Sequence, residues 1–243
     1  MLRISNKTSL NILLASTSKL HKSDYLSYLK PEISELFRFV NDIIFIPYAR
    51  PGGITHEAYA EKAKRFFSSI GKQCYAVTEF DDPVKTLKNA SGIFTGGGNT
   101  FLLLKQLYDK KLYAVLKNKI NEGCAYLGTS AGSNICGANI KTTNDMPIVE
   151  PYSFKALEIV PYVINPHYID KPEGHKHQGE SRSTRLTEYL SQNTRPVMAL
   201  PEGTWIRITN SQHYIDGDQA CVLFTQDYTK PLKPKTDLNK INV

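Results

Sequence analysis

The chain has 243 residues, of which 41% are hydrophobic and 22% are charged, a composition typical of globular proteins. No apolar run approaches the ~18 residues that a membrane-spanning helix needs, which argues against a membrane protein. The formal net charge is +7, but residues 229–243 contribute four lysines against one aspartate, so nucleic-acid binding is not favoured. The remaining positive charge is equally consistent with an acidic substrate.

Short apolar runs alternate with helical patterns through the first half of the chain. Strands are predicted at 10–15, 43–49, 73–78, 92–95 and 124–127. Between the second and third strands, Thr55 can cap a helix whose apolar positions recur at helical spacing, and Gly71 can end it. Alternation of this kind predicts an α/β fold with a mostly parallel sheet that is covered by helices on both faces.

The second half of the chain has a less regular pattern than the first half. Beyond Ile140, five prolines between 147 and 172 predict irregular structure over a sheet edge. A helix at 183–191, a strand at 197–200 and a hairpin of 205–209 with 214–224 are expected next. The whole chain, 1–243, is predicted to be a single domain, with an N-terminal extension at 1–9 and a flexible basic tail at 229–243.

The four cysteines show no C-x-x-C spacing, and most lie in apolar surroundings. This usage is typical of reduced, buried thiols, and we expect a cytoplasmic protein. The basic first ten residues lead into an apolar run at 12–15 that is too short for a secretory signal.

The strongest chemical pattern is G-x-S-x-G at 128–132, between a predicted strand and a predicted helix. A sharp turn in this context exposes the serine, here Ser130, at the sheet edge, and the flanking glycines avoid a clash. The helix dipole and the N–H of Ala131 would then favour negative charge beside Ser130. Ser130 is therefore the candidate nucleophile.

A second glycine-rich segment, Gly96 to Gly98 followed by Asn99, also stands between a strand and a helix. It could bind phosphate, but it has neither the ending of a P-loop nor the spacing of a dinucleotide fingerprint. A serine hydrolase needs a second N–H donor from another strand end. We therefore expect Gly98 to form an oxyanion hole with Ala131.

Six blocks of sequence, in order, resemble peptidase family S51 and within it the aspartyl dipeptidases (dipeptidase E). They are GGGNTF at 96–101, SAGSN at 130–134, TTNDMPIV at 142–149, INPH at 164–167, PEGHK at 172–176 and LPEGTW at 200–205. The resemblance implies a class I glutamine-amidotransferase-like three-layer α/β sandwich, with serine in place of the cysteine of amidotransferases. The chain departs from the family in its N-terminal extension and in a small insertion at His177 and Gln178.

The resemblance also implies the partners of Ser130. His167, in the INPH block, matches the catalytic histidine of the family, whereas His21, His56 and His213 are expected at the surface. Two acids match family positions that could orient the histidine, namely Asp145 and Glu202. The sequence leaves this choice open, and Asp145 could instead bind the α-ammonium group of a dipeptide.

Recognition of an N-terminal aspartate requires a cation, for which arginine is well suited. Arg182 aligns with an arginine of the family, and Arg185 lies one helical turn beyond it. Asn99 is a further candidate substrate contact. His175 and His177, with Glu180 nearby, have a spacing that can bind zinc, but a solvated loop is the favoured interpretation and we expect no metal.

Together these features predict a serine-type dipeptidase that hydrolyses Asp-X dipeptides through an acyl-enzyme and needs no cofactor. The alternatives are a cyanophycinase-like or isoaspartyl peptidase of the same family, and a non-catalytic ligand-binding or interaction protein on the same fold. The expected partner is a small peptide, with neither nucleic acid nor membrane. The sequence leaves open whether the protein is a monomer or a homodimer.

Overall fold

The computed structural model of the protein describes residues 2, 10–170, 179–210 and 212–241. The strands are β1 (Ile12–Ala15), β2 (Asp42–Ile46), β3 (Gln73–Ala76), β4 (Gly92–Thr95), β5 (Ala125–Thr129), β6 (Val163–Pro166), β7 (Val197–Leu200), β8 (Thr204–Ile208), β9 (His213–Gly217), β10 (Cys221–Phe224) and β11 (Thr229–Leu232). The helices are α1 (Lys30–Leu36), α2 (His56–Ser68), α3 (Pro83–Asn89), α4 (Thr100–Asp109), α5 (Tyr113–Asn121), α6 (Ala131–Asn134) and α7 (Arg182–Ser191).

The larger sheet has seven strands in the order β3-β2-β4-β5-β1-β8-β9. The first five of these are parallel, and β8 and β9 close one edge as antiparallel strands. Strands β1, β4 and β5 are buried along their whole length, as expected for parallel strands with both faces covered. The predicted α/β fold with a mostly parallel sheet is confirmed.

Alternate residues of β1 face opposite sides of this sheet. Leu13 and Ala15 join a core cluster with α1 and α2, whereas Ile12 and Leu14 join a larger cluster with α4 and α5. Burial of apolar surface on both faces is the main favourable contribution to folding for such a sheet. None of the helices in the described part of the chain is long and apolar enough to span a bilayer.

A second sheet has four strands in the order β11-β10-β7-β6. On its inner side, Ile164 and Met198 belong to the same core cluster as Ile12 and Leu14. On its outer side, Val163 and Val197 pack against the apolar positions of α7. The second sheet is therefore joined to the first by a shared hydrophobic core.

The structure corrects two predictions about the chain after residue 213. The predicted second strand of the hairpin divides into β9, which pairs with β8, and β10, which belongs to the second sheet. The segment predicted as a flexible tail begins with β11, which pairs with β10 along its full length, and Leu238 is fully buried. The isolated leucines Leu232 and Leu238 are buried in this lysine-rich segment, and the edge of β10 supplies a pairing partner for β11.

The predicted N-terminal extension is described only at Leu2, which is buried in the larger core cluster and whose N–H donates to the carbonyl oxygen of Ile241 (3.4 Å).

A third correction concerns His213, which was expected at the surface. It is 3% exposed and forms a hydrogen bond through Nε2 with the hydroxyl of Tyr162 (2.8 Å).

Candidate active site

The carboxyl ends of five strands meet at one place. Ser130 follows β5, the glycine-rich loop follows β4, Ser16 follows β1, His167 follows β6 and Glu202 follows β7. In α/β folds the carboxyl edge of the sheet is the usual position of a ligand site. Here the edge draws residues from both sheets.

Ser130 lies on a strained turn, as the sequence predicted. Its φ and ψ are 53° and −112°, outside the regions that side chains usually allow. A Cβ at Gly128 would lie 2.5 Å from the carbonyl oxygen of Gly132, and one at Gly132 would lie 2.2 Å from that of Thr95. The two glycines of the motif are therefore required by close backbone packing.

Helix α6, which follows Ser130, is a single turn of four residues. The expectation that a helix dipole stabilises negative charge here needs correction, because so short a helix sums few peptide dipoles. Any stabilisation of negative charge beside Ser130 therefore depends on the individual N–H groups of this turn.

A chain of short hydrogen bonds connects Ser130, His167 and Glu202. Nε2 of His167 lies 2.8 Å from Oγ of Ser130, and Nδ1 lies 2.7 Å from Oε1 of Glu202. The side chains of His167 and Glu202 are 38% and 51% exposed, so small molecules can reach them. A serine, a histidine and a carboxylate in this order are arranged for nucleophilic catalysis.

Asp145, the other candidate acid, has different partners. Its Oδ2 accepts hydrogen bonds from the N–H of Thr100 (2.7 Å) and from Oγ1 of Thr143 (2.9 Å). Because Thr100 is the first residue of α4, Asp145 stabilises the start of that helix. Of the two acids, the structure brings Glu202 to His167 and leaves Asp145 beside the site.

The glycine-rich loop packs against Ser130. A Cβ at Gly97 would lie 3.0 Å from Cβ of Ser130, and the N–H of Gly97 donates to the hydroxyl of Tyr59 (2.9 Å). Gly98 has a φ of 145°, and a Cβ there would lie 2.2 Å from the carbonyl oxygen of Ala49. Within the described residues, the N–H groups of Gly98 and Ala131 have no protein acceptor.

The amide of Asn99 is engaged at both ends. Its Oδ1 accepts from the N–H of Leu102 (3.0 Å), which caps α4, and its Nδ2 donates to the carbonyl oxygen of Met146 (2.7 Å). These bonds attach the start of α4 to the loop that carries Asp145. Asn99 thus has a structural task in addition to the predicted contact with substrate.

The two candidate arginines differ in their surroundings. Arg182, the first residue of α7, is half-buried, and its Nη1 is buried with no hydrogen-bond acceptor among the described residues. Burial lowers the pKa of its guanidinium, and Arg185 lowers it further, whereas nearby Asp145 raises it. Arg185 is largely exposed, with Nε 3.8 Å from Oε2 of Glu180.

The spacing of His175 and His177 could bind zinc, although a solvated loop without metal was the prediction; both histidines and the PEGHK block lie outside the described residues. Elsewhere in the described part of the chain, no three His, Cys, Asp or Glu side chains are grouped in a way that could hold a metal ion.

The sequence analysis did not identify Ser16. This residue is fully buried, and its Oγ accepts from the backbone N–H of His167 (2.9 Å) and donates to the carbonyl oxygen of Leu200 (2.8 Å). A serine directly after the apolar run 10–15 was the available signal. It gave no indication of partners more than 150 positions away.

Similarity to known proteins extends over most of the chain. The sequence model of peptidase family S51 matches residues 12–215. A Drosophila melanogaster protein named "Probable alpha-aspartyl dipeptidase" is 38% identical over 94% of this chain and 95% of its own length. Peptidase E of Streptomyces coelicolor is also 38% identical, over 88% of this chain and 87% of its own.

Among solved structures, a peptidase from an acI-B1 Actinobacterium superposes with a TM-score of 0.71 at 16% sequence identity, covering 95% of this chain and 96% of its own. At that identity the likeness concerns the fold. The family match and the two relatives extend over nearly the whole chain, from β1 into β9 and beyond. The chain therefore belongs to peptidase family S51.

Proposed function

We propose that this protein is a serine-type dipeptidase that removes N-terminal aspartate from dipeptides through an acyl-enzyme on Ser130. The observation that carries the proposal is the continuous hydrogen-bond chain from Ser130 through His167 to Glu202. The names of the relatives, alpha-aspartyl dipeptidase and peptidase E, support the choice of a peptide substrate.

In the proposed mechanism, His167 takes the proton of Ser130 as Oγ attacks the scissile carbonyl carbon. Glu202 orients the imidazole through Nδ1 and stabilises its positive charge. The N–H groups of Gly98 and Ala131, which have no acceptor among the described residues, donate to the developing oxyanion. His167 then donates this proton to the leaving amine, and the peptide bond breaks. A water molecule, deprotonated by His167, attacks the carbonyl carbon of the acyl-enzyme, and Oγ of Ser130 regains a proton from His167 as the ester bond breaks and aspartate leaves.

Arg182 and Asp145 are the proposed recognition groups for the N-terminal aspartate. A buried guanidinium nitrogen without an acceptor is unfavourable in the free protein and would gain a charge-assisted bond from the side-chain carboxylate of the substrate. Asp145 lies close enough to Arg182 to influence the pKa of the guanidinium. Oδ1 of Asp145 accepts no hydrogen bond from a described residue. That oxygen is suited to the α-ammonium group of the same substrate residue.

The state of the cysteines bears on the compartment in which the protein works. All four are buried and free, as expected for a protein that stays in a reducing environment. This supports the proposal that the protein acts in the cytoplasm.

The first test is hydrolysis of Asp-Leu, Asn-Leu, Leu-Leu and isoaspartyl-Leu by the purified protein and by Ser130→Ala, with a chelator present. We expect cleavage of Asp-Leu that is lost in Ser130→Ala. Preference for isoaspartyl-Leu would move the assignment to the isoaspartyl or cyanophycinase-like alternative. Activity that survives in Ser130→Ala, or no cleavage of any of the four, would overturn the proposal.

The second test compares Arg182→Gln with Arg185→Gln, a matched control at an exposed position of the same helix. Loss of one charged hydrogen bond is worth about 1.5–3 kcal/mol, so kcat/KM for Asp-Leu should fall about 10- to 100-fold in Arg182→Gln alone. Equal losses in the two variants would argue against Arg182 as the recognition group.

A further inference from the structure

The three residues of the hydrogen-bonded chain are supplied by two different sheets. Ser130 follows β5 of the seven-stranded sheet, whereas His167 and Glu202 follow β6 and β7 of the four-stranded sheet. The bond between His167 and Glu202 therefore lies within one sheet, and the bond between His167 and Ser130 crosses from one sheet to the other. The distance between Nε2 of His167 and Oγ of Ser130 therefore depends on how the two sheets are aligned at this edge.

Ser16 occupies the crossing point. It follows β1 of the first sheet. Its Oγ bonds to the N–H of His167, the first residue after β6, and to the carbonyl oxygen of Leu200, the last residue of β7. The residue before it, Ala15, accepts the N–H of Ser130 (3.0 Å). Two consecutive residues at the end of β1 thus hold the backbone of the nucleophile and the backbone of the histidine.

The conformation of His167 makes this bond important. Its φ is 53°, in the left-handed region that a side chain rarely adopts, and such residues persist only where their surroundings determine them. The N–H of His167 is held by a hydroxyl that is itself fixed by a second hydrogen bond and is fully buried. Loss of that acceptor would remove a hydrogen bond that stabilises this backbone conformation, and the conformation directs Nε2 of His167 at Ser130.

We propose that Ser16 is a positioning residue for the catalytic histidine, acting as a hydrogen-bonded link between the two sheets. The proposal rests on the function proposed above. It differs from a purely structural role in that loss of the hydroxyl should impair the attack of Ser130 more than it impairs substrate binding, because Ser16 is buried and does not touch the substrate.

The test uses Ser16→Ala, Ser16→Thr and the control Tyr162→Phe. The control also removes a buried hydroxyl with a 2.8 Å hydrogen bond, which it makes to His213 and not to Ser130, His167 or Glu202. We expect Ser16→Ala to lower kcat for Asp-Leu about 10- to 100-fold with KM within about twofold of the parent, as for loss of a geometric support of the reacting groups. Ser16→Thr, which keeps the hydroxyl, should recover part of the rate, and Tyr162→Phe should keep the full rate.

A second readout is the rate at which an organophosphorus fluoride modifies Ser130, which requires an activated serine but no peptide substrate. Ser16→Ala should be modified more slowly than the parent and than Tyr162→Phe. An unchanged kcat and an unchanged rate of modification in Ser16→Ala would overturn the proposal. It would also be overturned if kcat fell in both Ser16→Ala and Tyr162→Phe in proportion to the loss of the free energy of unfolding in each.

These readouts also separate the two proposals. If the parent protein cleaves no aspartyl dipeptide but Ser130 is still modified faster than in Ser16→Ala, the proposed function fails and the positioning role stands. If Ser16→Ala does not fold, Ser16→Cys supplies the same comparison, since its thiol is of similar size and a weak hydrogen-bond donor.

Discussion

At the scale of single residues, two acidic side chains near the active site have separate partners. Glu202 follows β7 and meets Nδ1 of His167, whereas Asp145 accepts the first N–H of α4 and is near enough to Arg182 to raise the pKa of its guanidinium. Chain order alone favoured neither acid, because Ser, Asp, His and Ser, His, Glu are both workable orders. The geometry favours Glu202 as the residue that orients the histidine.

A matched pair of isosteric variants tests this division. Glu202→Gln removes the negative charge opposite the imidazolium, and we expect kcat for Asp-Leu to fall about 100-fold or more with a small change in KM. Asp145→Asn keeps an acceptor for the N–H of Thr100 but loses its charge, so it should mainly raise KM. Steady-state kinetics of both variants decide which acid orients His167. A fall in kcat for Asp145→Asn together with a rise in KM for Glu202→Gln would assign that role to Asp145.

At the scale of elements, the glycine-rich loop has two neighbouring N–H groups with different fates. The N–H of Gly97 is occupied by Tyr59, which is 1% exposed and whose ring lies 4.6 Å from the guanidinium carbon of Arg50. The N–H of Gly98 has no acceptor in the part of the chain that the structure describes. The strand-loop-helix pattern could locate this loop, but only the packing of α2 determines which amide is available.

Removing the hydroxyl of Tyr59 should therefore affect both stability and rate. In Tyr59→Phe the N–H of Gly97 is buried without a partner, at a cost of about 1–3 kcal/mol, and the adjacent Gly98 can shift. We expect kcat to fall along with the free energy of unfolding, measured by urea denaturation. Tyr113→Phe is the control, because its hydroxyl bonds to the carbonyl oxygen of Ala156, outside the loop; equal effects on kcat in both variants would contradict the prediction.

At the scale of the whole molecule, a buried histidine links stability to pH. Burial lowers the pKa of His213 to about 4, and neighbouring Asp237 offsets this only in part. The unfolded chain, with a histidine pKa of ~6.5, binds a proton more readily than the folded protein between these values. The stabilising contribution is therefore complete above about pH 6.5 and is lost as the pH falls towards 4.

The variant His213→Gln isolates this contribution, since glutamine can still bond to Tyr162 but does not titrate. Between pH 7 and pH 5, we expect the parent protein to lose about 2 kcal/mol more of its free energy of unfolding than His213→Gln loses. Urea denaturation of both proteins at the two pH values measures the difference. Parallel losses would show that His213 is not the responsible group.

The sequence by itself determined the features that arise from neighbouring residues. The apolar runs predicted β1, β4 and β5, and the glycines at 128 and 132 predicted the turn at Ser130, because steric exclusion and side-chain period act over a few positions. The family blocks added His167 and both acids.

Only the tertiary structure decided which of these groups meet. The link from Ser16 to His167 joins residues 151 positions apart, and the choice of Glu202 over Asp145 depends on the pairing of β6 with β7 in the second sheet. The same holds for β11, whose pairing edge is created by β10, and for His213, which is buried by packing against Tyr162. Such contacts have no local signature, because each of them exists only once distant segments have packed around a common core.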